Sequence, residues 1–247
     1  AEQVTAFVTT MLGAADPGSL GKNVTVREVL DSAAAHVDTL ASNPDLEAEI
    51  RTVIGGTYMG LGEFEAGEAQ YRHALDARRR RAPDGDHATV VTLTQQSYAL
   101  EYLGEYASAD SVLNVASKLN DRYPPDTPLD RAEFLDQRGR IATRLGHNDE
   151  AETILQQALD ITKREAPTND TLLANAYANL GFVKSELGKV TESEKLYEAA
   201  VAATRRAYGD HHAKLAEMLS PYATVLDRAG KPAPLGGAGE EIRFRHT

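Results

Sequence analysis

The chain has 247 residues, a mass of 26.7 kDa and a formal net charge of -11, because 26 Lys and Arg stand against 37 Asp and Glu. This acidic balance predicts repulsion from a nucleic-acid duplex and from an anionic membrane surface, so we expect neither as a direct partner. The absence of cysteine excludes disulfides, thiolate zinc sites and cysteine nucleophiles. Since no apolar run approaches the roughly 20 residues that span a bilayer, the sequence predicts a soluble domain.

The N-terminal segment, residues 1–45, predicts a degenerate helix pair that caps the chain. Val4, Phe7 and Met11 share one face of a predicted helix over residues 2–14. After a loop with proline and glycine, Thr25 and Glu28 match the spacing of a capping box, in which each residue satisfies a free backbone N–H at a helix start. The second helix of this pair is therefore predicted over residues 25–41.

Residues 46–230 repeat with a period of 42 residues, which leucine–glycine pairs mark at Leu61-Gly62, Leu103-Gly104, Leu145-Gly146 and Leu187-Gly188, with Gly230 continuing the series. Glycine reaches the left-handed backbone conformation that ends a helix at low cost, so each pair predicts a helix end and a tight turn. A small residue seven positions before each glycine, and an alanine twelve positions after the first four, predict two helices that cross closely.

In chain order this pattern predicts four full helix pairs and a final helix, near residues 46–61, 64–81, 88–103, 106–122, 129–145, 148–165, 170–187, 190–207 and 212–229. With the two N-terminal helices the chain is predicted to hold about 11 helices. The sequence lacks the alternation of apolar and polar residues that is typical of strands. The predicted fold class is therefore all-α, a solenoid of stacked antiparallel helix pairs. Residues 231–247 are rich in proline and glycine and are predicted to form a flexible tail.

The leucine, glycine, alanine and small residues that recur every 42 positions resemble the tetratricopeptide repeat, whose usual period is about 34 residues. The longer period, Gly-Asp-His in the loops at residues 85–87 and 209–211, and Asn175 and Asn179 on a first helix are similar to the kinesin-light-chain type. The resemblance implies a right-handed superhelical solenoid in which the first helix of each pair lines a concave, protein-binding or peptide-binding groove. HEAT and armadillo units have a similar period but lack a leucine–glycine turn followed by alanine at a fixed distance.

Four stretches, residues 2–8, 16–17, 25–31 and 54–62, resemble a segment of certain bacterial serine/threonine protein kinases. The resemblance implies a sensor or scaffold region tethered to the bacterial inner membrane, following a kinase domain and a membrane helix. The sequence lacks Val-Ala-Ile-Lys, His-Arg-Asp and Asp-Phe-Gly, so no catalytic residue is carried over and this chain is expected to be non-catalytic. The alternative is a free-standing cytoplasmic adaptor resembling kinesin-light-chain arrays.

The sequence holds few candidates for chemistry, and we expect no catalytic residue, no metal and no cofactor. His211 and His212 are adjacent and would diverge by about 100° on a helix, which does not suit a metal site. The basic run over residues 78–81 could bind anions, but it ends a predicted helix, where cations complement the helix dipole. An enzyme active in the groove is a distant alternative, because no acid–base cluster marks it.

The first helices are expected to supply the residues that face a ligand. Asparagine and glutamine can both donate to and accept from a peptide backbone, while tyrosine and phenylalanine offer rigid apolar anchors. The repeat columns place these groove candidates at Thr52, Gly56 and Met59, at Thr94, Gln95, Tyr98 and Tyr102, at Glu133, Asp136, Gln137, Arg140 and Arg144, and at Asn175, Asn179, Phe182 and Glu186.

The predicted partner is a protein or peptide. Tetratricopeptide domains that bind acidic chaperone tails use a clamp whose leading position is lysine, whereas that column here reads Glu49, Val91, Glu133 and Asn175. We therefore expect no tight binding to such tails. Self-association through an end helix is a further alternative, since terminal repeats must be capped or paired.

Overall fold

The computed structural model describes residues 25–232, and within this range all regular secondary structure is helical. The predicted all-α fold is confirmed; the predicted helix over residues 2–14 and the tail beyond Pro232 lie outside the described residues. The ten α-helices of this range are α1 Val26–His36, α2 Pro44–Gly60, α3 Phe64–Arg81, α4 His87–Tyr102, α5 Tyr106–Asn120, α6 Pro128–Arg144, α7 Asn148–Glu165, α8 Asp170–Glu186, α9 Val190–Tyr208 and α10 Ala213–Arg228.

The chain divides into two compact units between Pro124 and Pro125. Unit 1 contains α1 to α5, and unit 2 contains α6 to α10. In unit 1, α2 packs against α3 and α4 against α5; in unit 2, α6 packs against α7 and α8 against α9. The final helix, α10, packs against α9. Each unit is thus built from the antiparallel helix pairs that the repeat predicts.

Several helix ends differ from their predicted positions for local reasons. Helix α2 begins at Pro44, before the predicted residue 46, because the Asn43 side chain accepts from the N–H of Leu46 at 3.4 Å and proline suits the first helical position. The helix predicted over residues 25–41 ends at His36 and continues as a 3-10 turn, Val37–Leu40. This turn buries both of its end residues in the core. The predicted capping box of Thr25 and Glu28 is confirmed at the start of α1.

Glycine ends the first helix of each pair in the left-handed region. The φ angle is +78° at Gly62 and +71° at Gly188, values that a residue with a Cβ atom rarely adopts. The chain then turns back on the helix that it leaves: the N–H of Lys189 donates to the carbonyl oxygen of Lys184 at 2.9 Å. The leucine–glycine period is therefore a period of helix ends, as predicted.

Small residues mark the points where paired helices cross. A Cβ atom on Gly139 would lie 2.5 Å from Cγ of Leu155, and one on Gly55 would lie 2.9 Å from Cε1 of Tyr71. Real Cβ atoms do not approach other atoms this closely, so glycine is required for α6 to pack on α7 as tightly as it does. The small residue that precedes each turn glycine by seven positions thus lies where the two helices of a pair cross.

Each unit has its own apolar core. In unit 1, α1 and α2 meet through a cluster that includes Leu30, Val37, Ile54 and Tyr58. In unit 2, one cluster joins α6, α7 and α8, and a second joins α9 to α10. A fully buried Val, Leu or Ile side chain contributes about 1.5–3 kcal/mol, so these clusters hold the first helices in fixed positions.

Candidate ligand-binding faces of the two units

The first helices of unit 2, α6 and α8, contact each other and carry most of the predicted groove residues. We call this surface the unit 2 face. Spacings of three or four residues align its side chains along each helix. Its members are Asp136, Arg140 and Arg144 on α6 and Asn175, Asn179 and Phe182 on α8.

A hydrogen-bonded pair joins the two helices of the unit 2 face. The Nδ2 atom of Asn179 donates to Oδ1 and to Oδ2 of Asp136, at 2.9 Å in both cases. Both residues are half-buried. Because an ionised carboxylate only accepts hydrogen bonds, the amide nitrogen must face Asp136, and the amide oxygen of Asn179 points away from it.

An aromatic ring and a guanidinium form a second link across this face. The Cζ atom of Arg144 lies 5.9 Å from the ring centroid of Phe182, within the range of a cation–π attraction. The Phe182 side chain is 39% exposed although it is large and apolar. Asn175 is exposed one turn before Asn179 on the same helix. The unit 2 face therefore combines an accessible apolar anchor with cationic and amide groups.

Two predicted groove residues are buried, so their assignment is wrong. Gln137 is 0% exposed and Thr94 is 5% exposed, with the Thr94 hydroxyl donating to the carbonyl oxygen of Val90 at 3.0 Å. Gln137 is one position after Asp136, which turns its side chain by about 100° around the helix axis. The 42-residue repeat locates the helix ends correctly, but it does not predict how each helix is rotated about its own axis. Neither residue can contact a ligand in this structure.

Unit 1 has a corresponding surface on α2 and α4, which we call the unit 1 face. It carries Gln95, Tyr98 and Tyr102 of the predicted set. The Tyr102 ring is 59% exposed and stacks on Phe64, with 4.6 Å between ring centroids and 9° between ring planes. The predicted candidates on this face are all uncharged, in contrast to those on α6.

Two of the three predicted residues of α2 make contacts within the helix pair. The hydroxyl of Thr52 donates to the carbonyl oxygen of Ala48 at 2.7 Å, within its own helix. Met59 is half-buried, and its Sδ atom lies 3.0 Å from where a Cβ atom on Gly67 of α3 would be. Met59 therefore packs within the helix pair, while Gly56 is exposed.

Sequence reasoning missed a repeated ion pair at the turns of unit 2. Lys189 Nζ lies 2.6 and 2.8 Å from the carboxylate oxygens of Glu152, and Lys231 Nζ lies 2.6 and 2.8 Å from those of Glu194. Hydrogen bonds from Lys184 and then Lys189 hold the pKa of Glu152 below its ordinary value. The sequence does carry a signal for these ion pairs, because each lysine directly follows a turn glycine and the two lysines are 42 residues apart. Lys231, the first residue of the predicted tail, takes part in the second of these pairs.

The basic run at the end of α3 is engaged within unit 1. This leaves the anion-binding alternative without support, since each guanidinium has a partner in the chain. The pairs are Arg78 with Thr92, Arg79 with Asp76, Arg80 with Glu47, and Arg81 with Asp45 and Asp86.

Residues 25–232 offer neither a metal site nor a membrane span. No group of three or more His, Cys, Asp or Glu side chains there is placed to hold a metal ion. Within the same range, every helix is too short or too polar to cross a membrane.

Comparison with protein families shows which repeat this is. Three tetratricopeptide repeat models match the chain, at residues 48–81, 131–169 and 172–234, and together they span more than half of it. The chain is therefore a tetratricopeptide repeat protein, and repeats of this class generally mediate protein–protein interactions. A comparison with curated protein sequences gave no match.

Solved structures of this class resemble the fold. BtubC (BKLC) from P. vanneervenii is 17% identical, with 91% of this chain and 85% of that chain covered and a TM-score of 0.64. A putative kinesin light chain with TPR-like repeats from Podosopora anserina is 16% identical, with 79% and 89% covered and a TM-score of 0.56. A tetratricopeptide repeat protein from Parabacteroides merdae is 16% identical, with 94% and 75% covered and a TM-score of 0.59. At these identities the likeness shows the fold alone, and it agrees with the predicted kinesin-light-chain-like repeat.

Proposed function

We propose that this chain is a non-catalytic domain that binds an extended peptide segment of another protein on the unit 2 face. The observation that carries the proposal is the linkage of α6 and α8 by the Asp136–Asn179 hydrogen bonds and the Arg144–Phe182 contact. Side chains that already hold one another lose less conformational freedom on binding, which favours affinity. The tetratricopeptide class of the chain supports the same conclusion.

The chemistry of the unit 2 face suits a segment that carries an apolar side chain. Phe182 supplies exposed ring surface of the kind that anchors binding partners. Asn175 can donate to and accept from a peptide backbone. Arg144 can pair with an acidic group of the segment beside the apolar anchor.

Peptide selection on the whole chain tests this proposal. Random peptides are displayed and enriched on the wild-type chain, and the affinity of the best peptide is measured by calorimetric titration. We expect Phe182→Ala to weaken binding by about tenfold or more, because buried aromatic anchors contribute about 2 kcal/mol or more to binding.

Tyr208→Ala is the matched control for this test. Tyr208 lies on α9 and is 38% exposed, close to the 39% of Phe182, and it stacks on His212. Its replacement should leave affinity unchanged. Equal loss in both variants, or failure to enrich any peptide on the wild-type chain, would contradict the proposal.

We propose further that the parent protein is a membrane-anchored bacterial serine/threonine kinase, with this chain as its sensor or scaffold region. Two of the resembling stretches, residues 25–31 and 54–62, pack together in unit 1, where the Tyr58 hydroxyl donates to Oδ1 of Asp31 at 2.6 Å. Their contact supports treating them as one element of the resemblance.

The coding sequence upstream of Ala1 tests this assignment. We expect it to encode a membrane helix preceded by a kinase domain. A reading frame that starts just before Ala1 would contradict the kinase assignment and favour the cytoplasmic adaptor.

A further inference from the structure

Asn179 can offer a ligand a donor or an acceptor, depending on how its side-chain amide is turned. Asp136 decides between the two, because both of its carboxylate oxygens receive hydrogen bonds from Asn179 Nδ2 at 2.9 Å. Turning the amide over would bring its oxygen against two acceptors and lose both bonds. We infer that Asp136 is a positioning residue, which fixes the orientation of the Asn179 amide and so presents its oxygen as an acceptor on the unit 2 face. This inference rests on the proposed function.

The complementary group on the ligand is a hydrogen-bond donor, and we assign it to a main-chain N–H of the bound segment. An extended segment presents an N–H at nearly every residue, so it can supply one without a particular side chain. A cationic side chain is the other source of donors. A lysine or arginine would have to stand at one particular position of the segment, whereas a main-chain N–H is available at nearly every position.

The orientation of the amide can be tested without a ligand. In the nuclear magnetic resonance spectrum of the whole chain, the side-chain NH₂ signals of Asn179 should shift in Asp136→Ala, because that variant removes both acceptors. Asp160→Ala is the matched control: it makes the same change of an acid to alanine, but Asp160 lies on α7 and accepts a hydrogen bond from Gln156. It should leave those signals in place. Backbone amide signals that are otherwise retained show that each variant is folded.

The donor on the ligand is tested with the peptide enriched on the wild-type chain. Each main-chain N–H of that peptide is replaced in turn by an N-methyl group. On the wild-type chain, methylation at one position should weaken binding by about tenfold, since it leaves the amide oxygen of Asn179 without its donor. The sensitivity of that position should disappear in Asn179→Ala and fall in Asp136→Ala, but persist in Asp160→Ala.

The outcomes separate this inference from the proposed function. An Asn179 signal that does not move in Asp136→Ala, or an N-methyl sensitivity that persists in that variant, would overturn the role of Asp136. A peptide that tolerates every N-methyl group but loses affinity when a lysine is replaced by norleucine would overturn the main-chain donor. Failure to enrich any peptide on the wild-type chain would contradict the proposed function, and the Asn179 signal would still decide whether Asp136 holds the amide.

Discussion

The two units share one repeat, yet they differ at equivalent positions of their first helices. Two periods before Asp136 and Asn179 stand Thr52 and Gln95. The Thr52 hydroxyl donates within its own helix, and Oε1 of Gln95 is buried with no hydrogen-bond partner in the described part of the chain. Unit 1 thus lacks the carboxylate that orients an amide in unit 2. The repeat specifies helix ends and crossings, while the surface between them differs from unit to unit.

The units also differ in where they place their ion pairs. In unit 1, Arg51 and Glu47 are paired with side chains that are each only 5% exposed, and Arg51 also pairs with Asp38 and bonds Gln70. In unit 2 the lysine side chain of the Glu152–Lys189 pair is 39% exposed. Solvent can replace the partner of an exposed charge but not that of a buried one. The same kind of substitution should therefore cost far more in unit 1.

The largest expected effect follows from that contrast. Arg51→Ala leaves Glu47 buried with Arg80 as its remaining cation, and we expect a loss of about 3 kcal/mol in the free energy of unfolding. Chemical denaturation measures the loss, and hydrogen exchange should locate the lost protection in unit 1. In unit 2, Lys189→Ala likewise leaves Glu152 with one remaining cation, Lys184, and should cost less than about 1 kcal/mol because Lys189 is more exposed than Arg51. Equal losses of unfolding free energy in the two variants would contradict the expected difference between the ion pairs of the two units.

A second test compares glycines in the two units. Gly139→Ala in unit 2 forces a Cβ atom against Leu155, and overpacking that costs about 1–3 kcal/mol should outweigh the helix-propensity gain. Gly60→Ala in unit 1 meets no atom within 4 Å and should be neutral or stabilising by up to about 1 kcal/mol. Thermal unfolding of both variants shows whether each substitution stabilises or destabilises the chain. A stabilising Gly139→Ala would show that α6 and α7 can move apart freely.

The equivalent amides should respond with opposite signs. Asn179→Leu removes both hydrogen bonds to a half-buried carboxylate and should destabilise the chain by about 1 kcal/mol. Gln95→Met removes a buried oxygen that has no hydrogen-bond partner among residues 25–232, and it should stabilise the chain by up to about 1 kcal/mol. Denaturant midpoints measure both changes. A destabilising Gln95→Met would indicate that the Gln95 amide is satisfied in solution.

The smallest expected effect depends on pH. Lys184 and Lys189 lower the pKa of Glu152 in the folded chain, so this carboxylate stabilises the fold above its unfolded pKa of about 4.3. That contribution is lost as the pH falls through the lowered pKa. Glu152→Gln should therefore be less stable than wild type at neutral pH, and the difference should vanish in acid. Unfolding curves across this range test it, and a difference that grows in acid would reverse the assigned sign.

Much of the fold could be predicted from the sequence because the repeat marks its own helix ends. Helices α3 and α7 span the predicted residues 64–81 and 148–165. The predicted crossing points at Gly55 and Gly139 are confirmed by the close approach of α3 and α7.

The candidate sites were harder to predict, because contacts between helices do not follow the period. The Asp136–Asn179 pair spans 43 residues and the Lys189–Glu152 pair spans 37, neither of which is the repeat length. Gln137 occupies the repeat column of Asn179, yet it turns into the core while Asp136 supplies the contact. The repeat predicts where a residue lies along its helix. Which side chain it contacts depends on how the helix is rotated and packed.

Binding of an extended segment to the unit 2 face can be followed directly through side-chain amides on different helices. The enriched peptide is titrated into the chain while the NH₂ signals of asparagine and glutamine are followed by nuclear magnetic resonance. We predict that the signals of Asn175 and Asn179 on α8 move with added peptide, while those of Gln156 and Gln157, exposed on α7, stay in place. Movement of the α7 signals while those of Asn175 and Asn179 stay unchanged would contradict binding on the unit 2 face.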